Sequence, residues 1–192
     1  MKGEIKRQMV HASGVFLLLP LVFFGRLTTS LLVSATIVIL LLWGHYRKHH
    51  IYTIKPLIKW ERKIEKFVSE YERSVEIKQP FMGAITFFIG SLIAMTLFPI
   101  GTAVASISIL SVGDSVSTLV GKMYGKHKWP YGKKSFEGSF AFIIASTMIY
   151  YMFVGMPMAL IFGAITTLVE SLPKIDDNIS IPVTVSILLT FF

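Results

Sequence analysis

Charged and small residues are concentrated in the stretch 111–139, SVGDSVSTLVGKMYGKHKWPYGKKSFEGS, which lies between two apolar segments. Asp114 would share one face of a helix with Ser117, Thr118 and Gly121, because these residues lie three or four positions apart. A charge beside an apolar segment is costly, so it marks a candidate functional site. The alternative is an aspartate that only bonds to a neighbouring helix.

The second half of this stretch is rich in lysine and glycine. Lysines act as point charges for phosphate groups, and glycines let a backbone approach a ligand closely. Gly138 and Ser139 open the next apolar segment, where free backbone N–H groups of a helix could bind an anion. The alternative is a loop whose lysines only set membrane topology. Neither G-x-x-x-x-G-K-[ST] nor G-x-G-x-x-G is present, so the pattern leaves the ligand open.

Hard oxygen ligands gather in the stretch 166–182, TTLVESLPKIDDNISIP. Glu170 would lie near the end of a helix that the following proline terminates. Asp176, Asp177 and Asn178 come next and offer two carboxylates and an amide. These groups suit Mg²⁺, which takes one or two carboxylates together with substrate phosphates. A solvated polar turn is the alternative.

The N-terminal stretch EIKRQMVH carries a third kind of pattern. Glu4, Arg7 and His11 have helical spacing, so they would point from one helix face toward the same membrane boundary as the other stretches. A histidine there could act as a base, although a histidine that only packs at a helix interface is more common.

Apolar segments must position these polar residues. Of the 192 residues, 53% are hydrophobic and 16% are charged, against about 25% charged in a soluble domain. The mean hydropathy is +0.65. The pattern predicts an all-α, polytopic integral membrane bundle of about seven helices that forms a single domain. The predicted segments are 12–25, 28–44, 81–98, 100–120, 138–154, 157–171 and 179–192.

Cysteine usage and net charge narrow the chemistry further. The chain has no cysteine, which excludes disulfides, thiolate metal sites and cysteine nucleophiles. A net charge of +8 would suggest nucleic acid in a soluble protein. In a membrane protein the same charge sets topology and attracts anionic head groups. We therefore expect membrane lipids, and no nucleic acid, among the partners.

Positive charge falls on alternate connections between the segments. Lysine and arginine concentrate in the N-terminal tail, in 45–79 and in 121–137, whereas the connections FPIGT and VGMP carry no charge. Because positively charged loops stay cytoplasmic, we expect the N-terminus and the active site on the cytoplasmic side. A cleaved signal peptide is not expected, because no small-residue cleavage site follows the first segment.

The segment 45–79 is polar but periodic and predicts a cytoplasmic amphipathic helix. Apolar residues recur at helical spacing from Leu57 to Val75, with basic residues around them. Such a helix either lies on the membrane surface as a lid or connects two spans and packs on the bundle.

The order of motifs along the chain is more specific than any one of them. It runs E-x-x-R-x-x-x-H, G-D-S, G-K-x-Y-G-K, K-K-S-x-E-G-S and D-D-N-x-x-x-P. This order resembles the CTP-dependent lipid-alcohol kinases: dolichol kinase, phytol kinase and CTP-dependent diacylglycerol kinase. The resemblance covers Glu4 to Pro182, with a departure at Gln8, where a basic residue would be expected. It implies a polytopic membrane enzyme that phosphorylates a lipid hydroxyl with CTP and Mg²⁺ or Mn²⁺.

Matching positions imply roles for individual residues. The nucleotide-binding residues would be Gly113, Ser115, Gly121, Lys122, Lys133, Lys134, Ser135, Glu137 and Gly138, with the lysines on the phosphates. The metal ligands would be Asp114, Asp176, Asp177 and Asn178. Either Asp114 or Glu170 would accept the hydroxyl proton, and His11 is a lesser candidate base.

Alternatives remain for the lipid substrate and for the activity. For the lipid, a polyprenol or dolichol is the first choice, then phytol or geranylgeraniol, then diacylglycerol. For the activity, a CTP:phosphatidate-type cytidylyltransferase would use the same nucleotide but make a CDP-lipid. A small transporter or lipid-binding protein is the alternative from another class. Transporters commonly show inverted repeats and polar groups near the midplane, whereas here the charges collect at one face.

Overall fold

A computed structural model describes residues 2–49, 81–130, 134–172 and 176–192. Regular structure in these ranges is helical, apart from an isolated antiparallel bridge between Lys128 and Ser135. The helices are α1 (Lys2–Ala12), α2 (Leu18–His49), α3 (Met82–Leu97), α4 (Ile100–Ser108), α5 (Asp114–Met123), α6 (Phe136–Tyr151), α7 (Met156–Ser171) and α8 (Asp177–Phe191). The predicted all-α class is confirmed for the part of the chain that is described.

Short irregular helices join two pairs of these elements. A 3₁₀ segment, Ser13–Leu17, connects α1 to α2. A π-helical segment, Ile109–Gly113, connects α4 to α5, so that one continuous rod runs over the predicted segment 100–120. Most of the predicted amphipathic segment 45–79 lies outside the described residues.

Helix boundaries follow the apolar pattern closely. The helices α3, α6, α7 and α8 begin and end within three residues of the predicted segments 81–98, 138–154, 157–171 and 179–192. This agreement is expected because apolar blocks and their Gly, Pro and Ser flanks are local sequence signals. The total of seven helices stays a prediction.

A sharp kink divides α2 near its start. Gly25 has φ 78° and ψ 174°, a left-handed backbone that glycine adopts without a Cβ penalty. The kink coincides with the break predicted between 12–25 and 28–44. The next residue, Arg26, donates from Nη2 to the carbonyl oxygen of Phe98 at 2.8 Å, which links the kink to the end of α3.

Two buried apolar clusters hold the bundle together. One joins α3, α6, α7 and α8 through large side chains such as Phe142, Tyr150 and Phe162. The other joins α2, α3 and α4. Close approach of helices depends on glycine: a Cβ on Gly90 would lie 1.9 Å from the backbone oxygen of Asn178. The N-terminal end of α8 therefore packs closely against the middle of α3.

Large apolar side chains also cover much of the outer surface of the described residues. On α2 these include Phe23, Phe24 and Leu27, each at least 65% exposed. Two stretches, Gly3–Tyr46 and Ile100–Met123, are long and apolar enough to cross a membrane, judged by length and composition. An apolar surface of this kind is typical of a protein that contacts lipid or another apolar partner.

Substituting Gly90 tests the α3–α8 contact. We expect Gly90→Ala to lower the free energy of unfolding by about 1–3 kcal/mol, because the added methyl group overpacks a backbone contact. Gly101→Ala is the matched control, since nothing lies within 4 Å of a Cβ there. The control should be neutral or stabilising by about 0.5–1 kcal/mol. Thermal unfolding in detergent measures both, and equal effects would contradict this packing.

Candidate active site

One end of the bundle collects the polar residues that the sequence singled out. The C-terminal end of α7 and the N-terminal ends of α3, α6 and α8 meet there, with α5 beside them and α1 packed along α5. The π-helical segment Ile109–Gly113 directly precedes Asp114. Such π-helical turns are frequent at functional sites because they rotate the following side chains out of the regular helical pattern.

A lysine joins two carboxylates from different helices at this end. Lys134 donates from Nζ to Oε1 of Glu170 at 2.5 Å and to Oδ2 of Asp177 at 2.7 Å. Glu170 is 1% exposed, and its Oε1 also accepts a hydrogen bond from the hydroxyl of Ser117 at 2.9 Å. A carboxylate this buried is stable only with such partners, so Lys134 fixes the ends of α6, α7 and α8 relative to one another.

Negative charge exceeds positive charge in this cluster. We define the acidic cluster as Asp114, Glu170 and Asp177 together with Lys134. Burial disfavours the ammonium form of Lys134, but the three carboxylates outweigh this effect and raise its pKa. Burial raises the pKa of Asp177, at the N-terminal end of α8, to about 7, and the other carboxylates add to this against the opposing ion pair. One lysine is therefore not enough to neutralise the group.

The N-terminal helix contributes a histidine next to the acidic cluster. Nε2 of His11 lies 3.4 Å from Oδ2 of Asp114 and 3.2 Å from the carbonyl oxygen of Leu110. The imidazole packs edge-on against Phe87 with 5.3 Å between ring centroids. The structure thus places His11 and Asp114 together, although they are 103 residues apart in the sequence.

Lys122 lies in a separate group of charges on the α1 side of α5. It forms an ion pair with Glu4, which also accepts hydrogen bonds from Arg7 and from Nε2 of Gln8. The hydroxyl of Ser115 donates to the carbonyl oxygen of Gln8 at 3.2 Å, which anchors α1 on α5. The sequence motifs did not assign a binding role to Arg7 or Gln8. The three-residue spacing between Glu4 and Arg7 did indicate that these two side chains share a helix face.

The glycines and the serine near α6 have packing roles. Ser135 caps α6, because its hydroxyl accepts a hydrogen bond from the backbone N–H of Gly138 at 3.1 Å. The N–H of Ser139 donates to the carbonyl oxygen of Ser135 at 3.0 Å. The expectation that these two N–H groups are free for an anion is therefore wrong in this structure. A Cβ on Gly138 would meet the backbone of Ser117 and Gly121, which explains the glycine there.

Glu137 organises the loop before α6. Its carboxylate accepts hydrogen bonds from the backbone N–H groups of Lys126 and His127 at 3.1 and 3.2 Å, and lies 2.8 Å from the His127 ring. A hydrogen bond from its own backbone N–H and those from His127 and Lys126 lower the pKa of Glu137 to about 2. The indole of Trp129 stacks on Phe136 and holds the other side of the loop.

Two of the four residues expected to bind metal, Asp176 and Asn178, make other hydrogen bonds in the structure. Asp176 caps α8 by accepting a hydrogen bond from the N–H of Asn178 at 2.9 Å. The side-chain amide of Asn178 donates to Thr86 at 2.9 Å. Among the described residues, no three His, Asp or Glu side chains are grouped as a metal site. Asp114 and Asp177 of the acidic cluster carry carboxylate oxygens, which are the kind of ligand that Mg²⁺ prefers.

Lys133 and Gly113 were also expected to bind the nucleotide. Lys133 lies outside the described residues. Gly113 is buried, and a Cβ there would lie 3.2 Å from the ring of Phe142. Lys134 is therefore the expected phosphate-binding lysine that the structure places inside the acidic cluster.

Comparison with known proteins finds related sequences that align with most of this chain. An uncharacterized protein of Methanocaldococcus jannaschii is 28% identical over 191 residues, 97% of this chain and 92% of the relative. Probable phytol kinase 1 of Glycine max is 31% identical over 125 residues, 55% of this chain and 41% of the relative. A dolichol kinase of Schizosaccharomyces pombe is 27% identical over 195 residues, 93% of this chain and 38% of the relative. No protein-family model and no solved structure matches the chain.

These similarities confirm the resemblance seen in the motifs. Curated homologues at 27–35% identity are dolichol kinase, phytol kinase and farnesol kinase. The chain is therefore similar in sequence to lipid-alcohol kinases. It spans less than two thirds of the length of these phytol, dolichol and farnesol kinases.

The buried ion pair can be tested without any substrate. We expect Lys134→Met to lower the free energy of unfolding by about 3 kcal/mol, because it leaves Glu170 as an uncompensated buried charge. Adding Glu170→Gln to this variant should recover much of the loss. Lys122→Met is the control: its side chain is 54% exposed, and exposed ion pairs contribute about 0–1 kcal/mol. Equal losses in the Lys134 and Lys122 variants, measured by chemical unfolding, would contradict the cluster.

The depressed pKa of Glu137 predicts a pH dependence of stability. Its folded pKa of about 2 lies below its ordinary value of 4.5. The ionised form therefore stabilises the fold fully above pH 4.5, and this contribution is lost as the pH falls toward 2. The difference in melting temperature between wild type and Glu137→Gln should be constant at neutral pH and shrink below pH 4.5. A difference that does not change with pH would show that the carboxylate has no such role.

Proposed function

We propose that the protein is a lipid-alcohol kinase that transfers the γ-phosphate of CTP to the hydroxyl group of a polyprenol or dolichol. The names of its relatives support a lipid alcohol as the acceptor. The assignment of the active site rests on the acidic cluster. It combines a lysine that can hold a phosphate with carboxylates that can hold a cation and accept a proton, which are the parts that phosphoryl transfer needs.

A membrane setting fits this function. The apolar surface of α2 and the two long apolar stretches support a bundle that lies in lipid. The polar groups lie at one end, which the charge pattern assigns to the cytoplasm. A lipid alcohol would then present its hydroxyl group at the membrane surface, where a soluble nucleotide can reach it.

The transfer itself would be an in-line displacement. The hydroxyl oxygen of the lipid attacks the γ-phosphorus, the bond from that phosphorus to the β-phosphate oxygen breaks, and CDP leaves. The hydroxyl proton passes to Oδ2 of Asp114. Glu170 is less suitable as this base, because it is buried and accepts hydrogen bonds from Lys134 and Ser117. His11, 3.4 Å from Asp114, would hold the carboxylate in place.

The remaining residues of the acidic cluster act mainly by positioning. Glu170 holds the ammonium group of Lys134, which would contact the transferred phosphate. Asp114 and Asp177 would hold Mg²⁺, which, when bound, neutralises phosphate charge. The excess of carboxylates over lysine in the cluster supports a divalent cation there, because it would offset repulsion between like charges.

An acceptor panel tests the function. The protein in nanodiscs receives polyprenol, dolichol, phytol, geranylgeraniol or diacylglycerol with labelled CTP or ATP, and the products are separated. We expect a lipid monophosphate from CTP with a polyprenol or dolichol. Formation of a CDP-lipid and pyrophosphate would instead identify a cytidylyltransferase, and no labelled lipid from any pair would overturn the proposal.

Asp114→Asn gives the sharpest test of the assigned base. Proton transfer by a positioned side chain typically contributes about 10²–10⁴-fold to the rate, so turnover should fall by at least about 100-fold. The melting temperature should not fall, because the change removes one charge from an acidic cluster. Full turnover in this variant would exclude Asp114 as the base.

A further inference from the structure

Glu4 lies between cations that come from two different helices. Its carboxylate contacts Lys122 of α5 and Arg7 of its own helix, and it accepts a hydrogen bond from Nε2 of Gln8 at 3.0 Å. The ion pair with Lys122 joins residues 118 positions apart in the sequence. The carboxylate therefore occupies the point at which the two cations converge.

Arg7 has hydrogen-bonding capacity to spare. Its side chain is 17% exposed, and its Nε is buried without a hydrogen-bond partner among the described residues. A buried donor without a partner is unfavourable. A guanidinium group offers several N–H donors in a planar fork that matches the oxygens of a phosphate. An anion with more oxygens than one carboxylate would satisfy this group better than Glu4 does.

The two cations are close to the acidic cluster but opposite in charge. Lys122 and Asp114 are eight residues apart on α5, which is a rise of about 12 Å. Arg7 and Lys122 against Glu4 leave a formal charge of +1 (two cations, one carboxylate). The acidic cluster has three carboxylates against one lysine and a formal charge of −2. A polyphosphate with a bound cation carries the complementary arrangement of charge.

We propose that Arg7 and Lys122 form a phosphate-binding subsite, in which the Glu4 carboxylate takes the place of a phosphate group until a nucleoside triphosphate displaces it. This inference rests on the proposed function for the identity of its ligand. It adds Arg7 to the nucleotide site and gives α1 a direct role in binding. Because Glu4 must leave Lys122 before phosphate oxygens can enter, the ion pair also sets a threshold for nucleotide binding.

Binding of tripolyphosphate to the full-length protein tests the subsite directly. Titration calorimetry in nanodiscs of neutral lipid gives the Kd for each variant. We expect Glu4→Gln to lower the Kd about tenfold, because the competing carboxylate is gone, and Arg7→Gln and Lys122→Gln each to raise it about tenfold. Arg7→Lys keeps the charge but loses the fork, so its Kd should lie between those of wild type and Arg7→Gln. Lys6→Gln removes a cation from an exposed position of the same helix and should change the Kd by less than about twofold.

The Glu4 variant could weaken the contact between α1 and α5, so melting temperatures are measured beside the titrations. Tripolyphosphate should raise the melting temperature of Glu4→Gln more than that of wild type. If Glu4→Gln and Arg7→Gln both bind tripolyphosphate as wild type does, Glu4 is only a structural partner and the subsite is overturned.

Phosphate oxygens also occur on lipid head groups, so the titrations are repeated in nanodiscs that contain phosphatidylglycerol. Unchanged binding supports a soluble polyphosphate as the ligand, whereas competition by the lipid would assign Arg7 and Lys122 to head groups and overturn the nucleotide subsite.

Kinase assays separate the phosphate-binding subsite from the proposed kinase activity. Lipid phosphorylation with the same KM for CTP in wild type, Glu4→Gln and Arg7→Gln would overturn the subsite and leave the kinase in place. Tighter tripolyphosphate binding by Glu4→Gln without any lipid product would support the subsite and overturn the proposed kinase activity.

Discussion

The burial of Glu170 is the constraint on which the polar end of the bundle depends. A carboxylate that is 1% exposed needs a cation and hydrogen-bond donors. Lys134 and Ser117 supply them, and they come from two other parts of the chain. The same lysine then reaches Asp177 at the start of α8. One buried charge therefore fixes three helix ends and brings further carboxylates into the cluster.

The helix ends can meet in this way because the helices pack closely. Gly138 lets α6 approach the backbone of α5, and Gly90 lets α3 approach α8. Larger residues at these positions would move the helix ends that carry Lys134 and Asp177. Gly138, a glycine of the sequence motifs, is thus explained by packing near the site. Ser135 has a similar role, because it caps the helix that follows Lys134.

The polar end has two charged groups with different physical requirements. The acidic cluster has three carboxylates and one lysine, and burial, with the neighbouring carboxylates, raises the pKa of Asp177. The group around Glu4 has more cations than carboxylates, and Nε of Arg7 has no hydrogen-bond partner in the part of the chain that the structure describes. A nucleotide with a bound cation would offset the charge of both groups, which links the electrostatics of this end of the bundle to the proposed phosphoryl transfer.

The sequence by itself determined the helical class, most helix boundaries and the resemblance to lipid-alcohol kinases. These follow from local signals, since apolar blocks, glycines, prolines and motif order are read along the chain. The tertiary structure decided which residues meet: Lys134 with Glu170, His11 with Asp114, and Glu4 with Lys122. Sequence could not give these pairs, because each depends on how distant helices pack. For the same reason it predicted free N–H groups at the start of α6, whereas the N–H of Gly138 donates to the Ser135 side chain.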